Sequence, residues 1–247
     1  MKQFDLHAEA YNIVRGKIAY PEKLFQTLSA ACSGQEAALD IGCGNGVSTI
    51  RLADYFSHVE GVDLGENLIE KAKANYPALR FSASPAEQFQ AERRYDLITS
   101  ATSFYWMDRQ AVLGKMGQWL KDGGVFCAYK YDFPVVYGPL RNFIERELVT
   151  KWAKHRDDRL VNYDNTLELI QASGVFSSAE RHVVSNIIEL SPREVALFFL
   201  STSYVTRYMD QEGGAGYVDA FIRAVEEIDR GDAVKVNFDI HAFIGRR

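Results

Sequence analysis

Only three cysteines occur in the 247 residues: Cys32, Cys43 and Cys127. An odd count without metal-ligand spacing excludes a disulfide framework and a cysteine-based metal centre, and no metal is expected. Cys43 lies in a glycine loop and Cys127 in an apolar run, so both read as small packing residues and a reducing cytoplasm is the expected setting. No apolar run approaches the roughly 20 residues of a membrane helix, and Met1-Lys2-Gln3-Phe4-Asp5 is not an apolar leader, so no membrane partner is expected. Nor is there an excess of base: 28 Lys and Arg against 33 Asp and Glu leave a net charge of −5. That argues against a nucleic acid partner, since Arg93-Arg94 and Arg246-Arg247 are isolated pairs and not a basic face. Internal repeats and low-complexity tails are also missing. With 47% hydrophobic residues, the chain suits one large globular domain with a sizeable core.

What is present centres on Ala37-Ala38-Leu39-Asp40-Ile41-Gly42-Cys43-Gly44-Asn45-Gly46. An apolar run feeds three alternating glycines and then a helical pattern over Val47 to Phe56, so the stretch predicts strand, tight turn and helix. Some twenty residues on, a second strand from Val59 to Val62 ends in Asp63, an acceptor-only carboxylate suited to the two hydroxyls of a ribose. The dinucleotide fingerprint is Gly-x-Gly-x-x-Gly, whereas this loop is one residue tighter and is preceded by Asp40. A carboxylate there repels a pyrophosphate but attracts the ammonium of an amino acid.

These residues, Leu-Asp-Ile-Gly-Cys-Gly-Asn-Gly followed by Gly-Val-Asp-Leu, resemble motifs one and two of the class I S-adenosylmethionine-dependent methyltransferases. Leu120-Lys121-Asp122-Gly123-Gly124-Val125 adds to the likeness, and Phe4, Ala8, Tyr11, Arg15 and Tyr20-Pro21 resemble the amino-terminal cap of small-molecule members such as the trans-aconitate methyltransferase group. The resemblance implies an α/β fold, a doubly wound seven-stranded Rossmann-like sheet of order 3-2-1-4-5-7-6 with the last strand antiparallel. It implies S-adenosyl-L-methionine as cofactor, held by Tyr11, Arg15, Asp40, Gly42, Cys43, Gly44, Asp63, Leu64, Ala86, Glu87 and Ser100. One departure is Pro85, which stands where the family often has an acid for adenine, leaving Ala86 and Glu87 as the expected contacts. Residues 1–32 are the expected helical cap of a single domain spanning 1–247.

Further along, strands are expected at Leu79–Ser82, Tyr95–Ser100 and Val125–Tyr129, with Asp108 capping a helix from Arg109 to Leu120. After the fourth strand, Phe104, Tyr105 and Trp106 fall where open parallel sheets bind ligands, with Tyr105 replacing the usual polar residue of the family. Beyond Phe133 the alternation of Val175 to Leu190 predicts a sixth strand and that of Val234 to Ile244 a final one, while Ser191-Pro192-Arg193-Glu194 starts a helix. The connections 133–173 and 191–232 exceed ordinary crossover lengths and are expected to form lid insertions.

The implied reaction is methyl transfer to a small-molecule acceptor on oxygen or nitrogen, a carboxylate or hydroxyl being favoured. Substrate contacts are expected from Tyr20, Phe104, Tyr105, Tyr131, Tyr204 and Arg207, with Tyr11 and Tyr105 the candidates for catalysis. Tyr11 and Arg15 suit an exposed helix equally well. Two rival readings stay open: an NAD-linked oxidoreductase, disfavoured by the glycine spacing and by the lack of a Tyr-x-x-x-Lys pair, and a nucleoside-binding module without catalysis. Sequence alone leaves the acceptor and the oligomeric state undetermined.

Overall fold

The computed structural model describes residues 14, 17–157, 159, 165–214 and 216–247. The described chain falls into two compact units.

The larger unit, Tyr20–Tyr131, Asn162–Val184 and Ile240–Arg247, holds a seven-stranded sheet. Its strands are β1 (Ala37–Ile41), β2 (His58–Asp63), β3 (Arg80–Ala83), β4 (Tyr95–Ala101), β5 (Leu120–Tyr131), β7 (Ser178–Val184) and β10 (Ile240–Arg246). They lie in the order β3-β2-β1-β4-β5-β10-β7, and β10 runs antiparallel to both of its neighbours. Counted within this sheet alone, that is 3-2-1-4-5-7-6, as expected. β1 and β4 are buried along their whole length because helices cover both faces, so the polar Asp40, Asp96, Thr99 and Ser100 within them are buried as well. One face packs Leu39, Ile41, Ile98 and Phe126 against Val112 and Met116 of helix Arg109–Trp119 and Ile170 of helix Thr166–Ala172. The other packs Ala38, Leu97, Cys127 and Tyr129 against Leu24, Phe25 and Leu28 of helix Glu22–Ala31.

Local chemistry sets several boundaries. Asp108 caps its helix through Oδ1, which accepts from Ala111 N at 3.0 Å. The helix after the glycine loop is shorter than its sequence pattern predicts, Thr49–Leu52 only. No side chain caps it, and i→i+3 bonds such as Ala53 N to Ile50 O tighten its end. β5 begins five residues earlier than expected because Lys121–Gly124 form an irregularity within the strand, where Gly123 has φ +71° and the register against β4 shifts.

The smaller unit comprises the described parts of Met1–Ala19, Asp132–Val161 and Ser185–Asp239. It carries a second, antiparallel sheet, β6 (Val135–Val136), β9 (Val234–Asn237) and β8 (Ile187–Leu190). Helices Arg141–Glu147, Pro192–Leu200, Ser203–Tyr208 and Tyr217–Ile228 accompany it, and at the helix start expected at Ser191 the Ser191 and Glu194 side chains form a capping box. Its core is aromatic: the buried Trp152 stacks on Phe199 at 5.5 Å, and its indole N–H donates to Tyr217 Oη at 2.9 Å.

The two late strands predicted from alternation are each divided. Val175 to Leu190 becomes β7 and β8, and Val234 to Ile244 becomes β9 and β10, so each predicted strand serves two sheets. Both breaks occur at one knot of polar groups: Asp239 Oδ1 accepts from Asn186 N at 2.9 Å, and Asn186 O accepts from Phe238 N at 2.8 Å. Among the described residues no helix is long and apolar enough to cross a membrane.

Candidate functional site

The three loop glycines have positive φ, 70° at Gly42, 55° at Gly44 and 86° at Gly46, a region that side chains rarely adopt. Their surroundings differ. A Cβ on Gly42 would lie 2.4 Å from Ser103 Cβ, and one on Gly46 would lie 2.8 Å from the Tyr76 ring, but one on Gly44 would meet nothing within 4 Å. Two glycines therefore serve packing, and Gly44 leaves its backbone open to a ligand.

Asp63, at the end of β2, clamps this loop. Its Oδ2 accepts from Gly44 N at 3.0 Å and its Oδ1 from Gly65 N at 2.8 Å. A carboxylate offers about four acceptor sites, so two are left for a pair of vicinal hydroxyls. Next to it Leu64 is 76% exposed, an apolar surface beside the carboxylate. Ser84 N donates to Asp63 O at 2.9 Å, drawing the loop after β3 to the same place. Within that loop Ala86 is buried, and Glu87 Oε1 accepts from Asp108 N at 2.7 Å.

Three other expected cofactor residues, Asp40 and Ser100 beneath the loop and Cys43 within it, are buried. Asp40 is fully buried, with Oδ2 accepting from Thr49 Oγ1 at 2.8 Å and Oδ1 from Thr99 Oγ1 at 2.9 Å. Burial pushes its carboxyl up to about 6, against the pull of the two hydroxyls. Ser100 is also fully buried and donates to Ile41 O at 3.0 Å. Cys43 packs with Ile69, Ala72 and Phe81, and burial, with Asp40 and Asp63 nearby, raises its thiol and keeps it inert.

On the β4–β5 side, Tyr20 lies edge-on to Tyr129 with ring centroids 5.0 Å apart, and its hydroxyl is 3.5 Å from Thr102 Oγ1. Tyr129 is buried and its hydroxyl bonds to Ser48 in the glycine loop. Thr102 is the one described non-glycine residue with positive φ, +53°, held by its N–H donating to Tyr129 O at 2.8 Å. Tyr131, half-buried at the end of β5, packs against the same cluster as Tyr129. Tyr105 is half-buried beside Trp106, with centroids 5.1 Å apart.

Of the other expected substrate residues, one lies in the core of the larger unit and two in the smaller unit. Phe104 is 1% exposed and packs on Phe126 at 5.2 Å, so it is a core residue and not the pocket lining its position suggests. Tyr204 and Arg207 belong to the smaller unit, where Tyr204 is buried against Phe133 and Trp152, and Arg207 Nη1 donates to His155 O at 2.9 Å. Tyr11 and Arg15 lie outside the described residues. Sequence reasoning gave no role to Ser48, Thr49, Thr99, Thr102 and Tyr129, although Ser48 and Thr49 end the glycine-loop stretch and Thr102 follows the fourth strand. Their hydroxyls count only because the fold brings them to the loop.

The site fits S-adenosylmethionine: Gly44 leaves backbone open, Asp63 keeps acceptor capacity for a ribose, and Leu64 offers an apolar surface beside it. A family described as a methyltransferase domain matches residues 38–124. A malonyl-[acyl-carrier protein] O-methyltransferase of Priestia megaterium is 34% identical over 132 residues, covering 50% of this chain and 47% of that protein. A trans-aconitate 2-methyltransferase of Methylobacterium radiotolerans is 34% identical over 98 residues, 38% of each chain. The chain thus spans less than half the length of these curated relatives. Among solved structures, one from Anaeromyxobacter dehalogenans, provisionally described as a type II methyltransferase, superposes with a TM-score of 0.78 at 22% identity, covering 92% of this chain and 97% of that one. The YcgJ protein of Bacillus subtilis gives 0.56 at 15% identity over 91% and 96%. At these identities the structures speak for the fold, and the domain match and the sequence relatives mark residues 38–124 as similar to the S-adenosylmethionine-dependent methyltransferase domain.

Proposed function

We propose that this protein methylates a small molecule on oxygen or nitrogen, with a carboxylate or hydroxyl acceptor favoured. The observation that carries the reading is the Asp63 clamp on Gly44, which joins a ribose acceptor to an open stretch of backbone. Support for the acceptor class comes from the relatives, one named for O-methylating a malonyl-acyl carrier protein and another for methylating trans-aconitate, since malonyl and aconitate groups are carboxylic acids.

When bound, S-adenosylmethionine supplies a methyl group already activated on a sulfonium. The residues then have to bind, align and exclude water. Asp63 accepts the ribose hydroxyls, Leu64 covers the base, and the Gly44 backbone admits the chain of the donor. Tyr20 and Thr102, at the carboxyl ends of β4 and β5, offer hydroxyls to hydrogen-bond the acceptor. A carboxylate acceptor carries no proton at neutral pH, so no residue has to serve as a general base. A hydroxyl or amine acceptor would call on a tyrosine such as Tyr105 or Tyr11. We place the three unpaired cysteines in a reducing cytoplasm, and the net charge of −5 favours a small-molecule partner over nucleic acid.

The test is transfer of isotope-labelled methyl from S-adenosylmethionine to a panel of di- and tricarboxylates, phenols and amines. Label in a carboxylate or hydroxyl product supports the proposal. Tight binding of the donor with no labelled product across the panel would favour the non-catalytic binding module instead.

A further inference from the structure

A carboxylate buried among apolar side chains normally has a cation beside it, because desolvating an unpaired charge is costly. Asp40 has none among the described residues. It is completely buried, and among the described residues its only hydrogen bonds are those donated by Thr49 and Thr99. Both threonines are themselves fully buried. Their positions matter: Thr99 lies on β4 directly opposite Asp40, and Thr49 is the first residue of the short helix that follows the glycine loop. The hydroxyl–carboxylate–hydroxyl bridge therefore ties the central strand pair to the far end of the Gly42–Gly46 loop.

We propose that Thr49 and Thr99 are positioning residues of the donor site, which act through Asp40 to hold the glycine loop in its binding shape while Asp40 stays ionised. The inference rests on the methyltransferase reading and adds a pH dependence to it. An ionised Asp40 accepts from both hydroxyls and carries a negative charge under a site for an amino-acid ammonium. Protonated, it loses the charge and one acceptor site, since its O–H must then donate. Burial puts that change at about pH 6 in the free protein, and the neighbouring Asp63 on β2 pushes in the same direction. The other titratable groups whose charge Asp40 touches, Cys43 in the loop and Tyr129 on β5, are both raised by burial and remain neutral across this range. The ammonium favours the ionised form, so affinity is full above about pH 6 and falls below it.

The experiment is equilibrium binding of S-adenosylhomocysteine from pH 5 to pH 8 to wild type, Thr99→Val, Thr99→Ser, Thr49→Val, Thr49→Ser and Asp40→Asn. Wild-type affinity should fall several-fold as the pH drops through about 6. Each valine variant removes a bond to the charged form, so it should bind more weakly and begin its fall at higher pH. Each serine variant should restore the wild-type profile, and Asp40→Asn should bind weakly with no dependence on pH. A merely structural threonine would lower affinity equally at every pH. Superimposable wild-type and valine pH profiles, or a flat wild-type profile, would overturn the proposal. Failure of the wild type to bind S-adenosylhomocysteine at any pH would instead strike at the methyltransferase reading itself. Should Asp40→Asn not fold, the valine–serine comparison decides alone.

Discussion

The carboxylate of Asp63 accepts the backbone N–H of Gly44 at 3.0 Å, so the two most diagnostic features of the sequence are bonded to each other across the sheet edge. The residue that shapes the loop is thus the one proposed to hold the ribose.

Replacing Asp63 with Ala should weaken S-adenosylmethionine binding by at least tenfold, since it removes a charged acceptor from the ligand and a clamp from the loop. Gly44→Ala should do the same at a stability cost of about 1–2 kcal/mol, because open space surrounds the new methyl group but the φ of +55° is one that side chains rarely adopt. Calorimetric titration with S-adenosylhomocysteine checks both. Wild-type affinity in either variant would mean that this loop does not hold the donor.

Asp40 should show the opposite relation between stability and binding. Its folded-state carboxyl sits near 6, above the ordinary 3.8, so keeping it ionised at neutral pH costs roughly two pK units, about 3 kcal/mol. The sign follows: the penalty is full above about pH 6 and fades as the pH falls towards 4. Asp40→Asn should therefore unfold about 1–3 kcal/mol later in urea at pH 7.5, with the gain shrinking at pH 5. A less stable variant at pH 7.5 would show that the charge itself supports the fold.

Asp96 is the reverse case. Burial alone would raise its carboxyl, but Ala37 N at 2.8 Å, Lys121 Nζ at 2.9 Å and Glu36 N at 3.0 Å outweigh this and hold it below the ordinary range. Its contribution is present above the unfolded value of about 3.9 and is lost as the pH falls through the lower folded value. Asp96→Ala should cost about 2–3 kcal/mol at pH 7, lowering the melting midpoint by roughly 5–10 °C. The deficit should narrow below about pH 4, and a constant deficit down to pH 2 would contradict this account.

Ser48 and Tyr129 should behave as a coupled pair. Ser48→Ala strands the buried Tyr129 hydroxyl and should cost about 1–3 kcal/mol, whereas adding Tyr129→Phe removes the stranded group and should recover much of the loss. Additive losses in urea unfolding of the single and double variants would show that the bond carries no energy.

How much of this was legible in the sequence depended on whether a residue's role was local. Gly42, Gly44 and Gly46 have conformations that a tight strand-to-helix turn demands, and Asp63 follows its strand at a fixed distance, so spacing alone exposed them. Asp108 and the Ser191–Glu194 box were legible because capping is settled within four residues. Strand exchange was not: β7 continues into β8, and β9 into β10, without loss of alternation, since both sheets have the same two-residue period. Only the contacts of Asn186 and Asp239 reveal the breaks. Phe104 was misplaced because an aromatic residue after β4 suits a pocket or a core equally, and Phe126 from β5 decides for the core. Asp40 was expected to face the ligand, but its bonds to Thr49 and Thr99 depend on residues 9 and 59 positions away. The positive φ of Thr102 has no sequence signal at all, because a β-branched residue is among the least expected there.

The central claim is that the loop and Asp63 hold S-adenosylmethionine, and parallel thermal melts with S-adenosylmethionine, S-adenosylhomocysteine and NAD test it most directly. A ligand at about 100 times its dissociation constant adds roughly 2.7 kcal/mol, which moves the midpoint of a chain this size by several degrees. The account predicts such a shift with both sulfur nucleosides and none with NAD. A shift with NAD alone, or with none of the three, would contradict it.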